Sequence, residues 1–103
     1  MNNYRKWVRQ REAFMGYVRK KSDYISNARR LEALHKETYL FLSERKELER
    51  LEQYPFADVA AELVRFENSS LYNDENIFKK LEWLRLHPSI VDQIFTPIPV
   101  PPA

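Results

Sequence analysis

A single glycine, Gly16, serves all 103 residues of this chain. Tight β-hairpins draw on glycine to reach positive φ, and nucleotide-cradling loops need several glycines at set spacings. So little glycine steers the chain away from hairpin-rich β folds, dinucleotide fingerprints and phosphate-binding loops, and toward helices. Cysteine is absent, which excludes disulfide scaffolds and thiolate-ligated zinc or iron–sulfur centres. Leu, Ile, Val and Phe supply 28 residues, more than a disordered chain carries, so a packed core is expected. The length suits one domain. The expectation is a single all-α domain over 1–95 and an extended Pro-rich tail over 96–103.

Hydrophobic periodicity divides the chain into segments. From about Tyr4 to Lys21, the residues Tyr4, Trp7, Val8, Phe14, Met15 and Val18 recur at helical steps and form one apolar face. Ser22-Asp23 can cap a new helix start, so the chain is expected to turn there. From about Tyr24 to Gln53, Leu31, Leu34, Thr38, Phe41, Arg45 and Leu48 follow a 3-4-3-4-3 pattern. That spacing suits a coiled coil, but it is short and places Arg on the seam. A long second helix folded antiparallel on the first is therefore expected; one continuous helix through Ser22-Asp23 is the alternative.

Pro55 ends the second segment, because proline breaks a helix interior and suits a first turn. The third segment runs to about Glu67 with Phe56, Val59, Ala60, Leu63 and Phe66 facing inward, and Asn68-Ser69-Ser70 breaks it. A fourth helix is expected from about Glu75 to Leu86, buried through Ile77, Phe78, Leu81 and Leu84. His87-Pro88 stops it. Ser89 and Asp92 then resemble a capping box for a short helix from Ile90 to Phe95. Two or three shorter helices thus pack on the long hairpin.

Catalytic patterns are missing. Glu32-x-x-His35 has metal-ligand spacing, yet a di-iron bundle needs a second such pair and the chain has none; the pair reads as an ordinary helix face. No nucleophile elbow occurs, and two histidines leave few groups titrating near neutrality. A non-enzyme without cofactor or metal is expected. Helix-turn-helix spacing is not met, since about six residues without glycine separate the third and fourth segments.

Charge is the main functional signal. Residues 1–30 carry nine basic and two acidic side chains, a net +7, whereas 31–103 carry a net −5. On a helical projection Arg5, Lys6, Arg9, Arg19 and Lys20 share an arc of about 140° opposite the apolar stripe, and Arg29 and Arg30 extend it. Tyr4, Trp7, Tyr17 and Tyr24 lie among these charges, as base-stacking aromatics do in single-strand binders. Arg11 projects into the stripe itself, where an intramolecular carboxylate partner is expected. A protein partner or larger assembly is the first reading of the basic face. DNA or RNA is the alternative, followed by an anionic membrane surface; a homodimer is also compatible.

The tail, Thr96-Pro97-Ile98-Pro99-Val100-Pro101-Pro102, favours polyproline II and contains a bare PxxP pattern with no basic flank. Pro97, Ile98, Pro99 and Val100 are the candidates for docking it, either on the bundle or on a partner. No stretch of about 20 apolar residues suggests a membrane span. The Arg-rich start could serve as a mitochondrial leader, but it is poor in Ser and contains Glu12, so a cytoplasmic chain is expected. Asn68-Ser69-Ser70 matches a glycosylation sequon without a secretion signal to make use of it.

Overall fold

The computed structural model describes residues 2–72 and 95–102, and among these the chain is helical with an extended tail. Helix α1 spans Asn2–Lys36, α2 spans Leu42–Glu52 and α3 spans Phe56–Glu67. The all-α class is as expected; the second long helix of the expected hairpin is not formed. The place where the chain turns also differs. The expected fourth and fifth helices, apart from Phe95, fall outside the described residues.

Helix α1 runs through Ser22-Asp23 without a corner. Its buried positions, Phe14, Tyr17, Val18, Lys21, Tyr24 and Ile25, step by three, one, three, three and one, so the inward stripe continues in phase. Asp23 sits exposed on the opposite side. A cap-competent side chain breaks a helix only when the turn offers better burial; here the continuous stripe offers more.

The break comes at residues 37–41 instead, so the expected helix from Tyr24 to Gln53 is cut in two. Leu31 and Leu34 are buried and Leu48 is partly buried, but Thr38, Phe41 and Arg45 of the same expected seam are exposed. Thr38 and Tyr39 are weak helix formers. The Phe41 backbone N–H donates to Glu44 Oε1 at 3.0 Å, which fastens the first turn of α2. Turning here brings Leu48 and Leu51 back onto the core that holds Leu31 and Leu34.

The antiparallel partner of α1 is α3, not the second segment. Tyr24 meets Phe56, Lys20 pairs with Glu62, and Tyr17 stacks on Phe66, so positions fall along one helix as they rise along the other. Helix α2 meets only the last turns of α1, through Arg30–Glu47 and His35–Glu52. Pro55 directly precedes α3, and Phe56, Ala60 and Leu63 are buried with Val59 and Phe66 partly so, matching the expected face. Asn68 closes the helix, and the Ser69 hydroxyl donates to the Phe66 carbonyl at 2.5 Å.

The seam between α1 and α3 is aromatic. The Tyr17 and Phe66 rings stack at 4.6 Å, and Phe14 packs on Tyr17, Phe66 and Tyr72 at 6.0–6.4 Å. Burying such rings supplies most of the drive to pair the helices. Tyr72 and the end of α3 pack on Phe14, and Tyr4 lies about 15 Å further up the helix. Tyr4 is exposed rather than buried, a correction to the expected apolar face.

Candidate functional site

Arg5, Lys6, Arg9, Arg19 and Arg29 all project exposed from α1. Lys20 and Arg30 are exposed too but are taken up within the fold, Lys20 by Glu62 of α3 and Arg30 by Glu47 of α2, the latter at 2.6 Å. Lys20 holds the Glu62 carboxyl below its usual range, and the bond to Glu47 raises the Arg30 guanidinium. The face is therefore discontinuous. Arg5 and Arg9 lie one turn apart, Arg19 follows about 15 Å on, and Arg29 the same distance beyond.

Two of the four aromatics expected among these charges are core residues. Tyr17 and Tyr24 are buried in the seam and cannot stack on bases. The inward stripe of α1 is centred roughly 80° around the helix from the one drawn through Tyr4 and Met15. The same rotation accounts for Arg11, which lies at the edge of the buried face, half-buried and engaged within the molecule.

Rotation places a lysine in the core. Lys21 is 2 % exposed; its amine donates to the Tyr17 hydroxyl at 3.3 Å and lies 4.0 Å from the Glu67 carboxylate. Burial pulls the Lys21 pKa down, and Glu67 opposes that shift. Burial drives the Tyr17 hydroxyl far above its ordinary range, with Glu67 reinforcing it, and Tyr72 is raised for the same two reasons. Tyr17, Lys21, Glu67 and Tyr72 thus form a polar knot inside the aromatic seam. Nothing in the chain's spacing points to it, because Lys21 and Glu67 are far apart in sequence and lysine is ordinarily solvated.

Glu32 and His35, the pair with metal-ligand spacing, turn to separate partners. Glu32 accepts from Lys36 at 2.9 Å, and His35 lies 3.5 Å from Glu52. Among the described residues no three potential ligands converge, and no helix there is long and apolar enough to cross a membrane.

The tail returns to the bundle. Tyr24 donates its hydroxyl to the Pro99 carbonyl at 2.6 Å, and Ile98 packs on the core. Pro97 and Val100 face outward.

The corner between α1 and α2 is the least expected surface. Tyr39, Phe41 and Leu42 are 67, 65 and 69 % exposed, three large apolar side chains within four positions. The Tyr39 and Phe41 rings meet edge to face at 5.5 Å, an arrangement that holds both in place. Arg45 and Lys46 are exposed on the first turns of α2. The notable signal in the sequence was the run Tyr39-Leu40-Phe41-Leu42, which reads as core until the turn is known. No protein family, curated protein or solved structure matches this chain.

Proposed function

We propose that this is a small non-catalytic helical binding protein, an adaptor or regulatory subunit that docks on a larger protein assembly. The observation that carries the reading is the exposed corner of Tyr39, Phe41 and Leu42. Contiguous exposed apolar side chains mark interaction sites, and aromatics beside arginine are the residue types that anchor interfaces. Here the anchors are set in advance, since Glu44 holds the Phe41 backbone and Tyr39 braces the Phe41 ring, so little ordering remains to oppose binding. The partner that fits is a protein with an apolar pocket rimmed by carboxylates to meet Arg45 and Lys46.

The test is a photo-crosslinker at position 41, used in the native source, followed by the double variant Phe41→Ser/Leu42→Ser. One protein should crosslink, its site should map to an apolar pocket with acidic neighbours, and the double variant should lose it while keeping its helical circular dichroism. Crosslinks to a second copy of the chain, with a dimer in sedimentation, would replace the adaptor reading by a homodimer. Crosslinks spread over unrelated proteins would end it.

Nucleic-acid binding is supported by one observation, the exposure of Arg5, Lys6, Arg9, Arg19 and Arg29. Titration of labelled DNA and RNA at about 50 and 200 mM salt tests it, since five phosphate contacts weaken binding by roughly five-hundredfold over that range. No binding at low salt sinks that alternative.

A further inference from the structure

The tail seat is a binding site in its own right. Residues 97–102 belong to neither helix nor strand; Pro97, Val100 and Pro102 are exposed, and Ile98, Pro99 and Pro101 are half-buried. Four of these six residues are prolines, whose rings hold φ near the polyproline II value. The proline spacing agrees, because each residue before a proline is pushed out of the α region. The surface beneath is lined by aromatics from three elements. Tyr24 of α1 meets Phe56 of α3 edge to face at 5.7 Å, and Phe56 meets Tyr54 of the α2–α3 turn at 4.7 Å. Leu31, Pro55, Ala57 and Pro102 frame a depression of about 340 Å³ beside them. One directed contact fixes the register, the bond from the Tyr24 hydroxyl to the Pro99 carbonyl at 2.6 Å. An extended proline helix leaves all its carbonyls unbonded internally, and aromatic grooves that offer hydroxyl donors are how such segments are recognised.

We propose that the cleft of Tyr24, Tyr54 and Phe56 is a recognition site for a polyproline II segment carried by another protein, and that the chain's own tail is its resident occupant. The tail then acts as a competitor as well as a template. Being carried on the same chain, it competes intramolecularly, and an outside segment must outbind it. This site is separate from the α1–α2 corner and does not depend on it.

The probe is the peptide Thr96–Ala103, titrated into the isotope-labelled full chain and followed by amide NMR. Ile98→Asp should release the tail, because Ile98 packs on the core; Val100→Asp should not, because Val100 is 87 % exposed. The Ile98→Asp chain is expected to bind the peptide at least about tenfold more tightly than the full chain does, with shifts at Tyr24, Tyr54 and Phe56. Adding Tyr24→Phe should weaken that binding roughly fivefold, the loss of one hydrogen bond. In the unaltered chain, peptide at several millimolar should move the Ile98 and Val100 amides toward free-peptide positions, a reading that needs no variant to fold. The proposal is overturned if the folded Ile98→Asp chain binds no peptide at about 1 mM, or if a peptide with its prolines changed to alanine binds equally well. A tail-dependent dimer would also overturn it, by making a second copy's tail the occupant.

Discussion

Two parts of this molecule carry aromatic rings and treat them in opposite ways. Along the α1–α3 seam Phe14, Tyr17, Tyr24 and Phe56 are buried, with Phe66 and Tyr72 packed on them. At the α1–α2 corner Tyr39 and Phe41 stand two-thirds exposed. Composition does not distinguish the two regions; geometry does. Two helices running antiparallel for several turns present each ring with a second surface, and a chain reversing over five residues presents none. The seam therefore holds the fold together, and the corner is free to serve something outside it.

The largest break in that comparison would come from Phe14→Ala. A buried Phe replaced by Ala should cost about 3–5 kcal/mol, read as a lower urea midpoint; a loss below about 1 kcal/mol would mean that the seam is not the main source of stability. The seam also carries a pH signature. Because the folded pKa of Lys21 lies below the unfolded 10.5, the unfolded state binds the extra proton in that interval, and stability should rise with pH until about 10.5. The tyrosines act the other way. Tyr17, Tyr24, Tyr54 and Tyr72 are all raised above 10.0 by burial first, so above pH about 10 only their unfolded forms ionise and stability should fall. Urea midpoints measured from pH 7 to 11 should pass through a maximum near 10. Lys21→Met should remove the rising limb and leave the falling one; a rise that persists in that variant would exclude Lys21 as its source.

A smaller effect is expected where the seam meets the tail. Tyr24→Phe removes the bond to Pro99 while keeping the ring, and should cost about 1 kcal/mol in thermal or urea melts. Opposite in sign is Gly16→Ala. The chain's one glycine lies inside α1 on its exposed side, and an added Cβ would meet nothing within 4 Å. Alanine there should stabilise by about 0.5–1 kcal/mol; destabilisation would show that the seam needs glycine after all. The smallest change is expected at the corner. Phe41→Ser/Leu42→Ser should move stability by less than about 0.5 kcal/mol, and a large loss would show that those side chains support the fold.

Helix α3 is the element most fully legible from sequence. Pro55, the stripe from Phe56 to Phe66 and the stop at Asn68-Ser69 are local signals, and the structure keeps all of them. The corner was not legible, because Phe41 is not a capping residue and its N–H is served by Glu44 through a bond that spacing alone does not reveal. Ser22-Asp23 misled in the other direction, offering caps that burial did not use. The rotation of α1 was hidden for a further reason. Lys21 in an apolar stripe reads as its end, and only Glu67 and Tyr17 in place around it make it interior.

The sequence by itself determined that this chain is helical, that it stops at Pro55 and Asn68, and that its positive charge is gathered in the first thirty residues. These follow from glycine count, proline stereochemistry and residue order, none of which needs a neighbour in space. Tertiary structure alone decided which face of α1 turns inward, that α3 rather than α2 runs back along it, and that Tyr39, Phe41 and Leu42 remain outside. Those outcomes depend on surfaces meeting across long separations, where burial of one pairing is weighed against another and local propensity is too weak to choose.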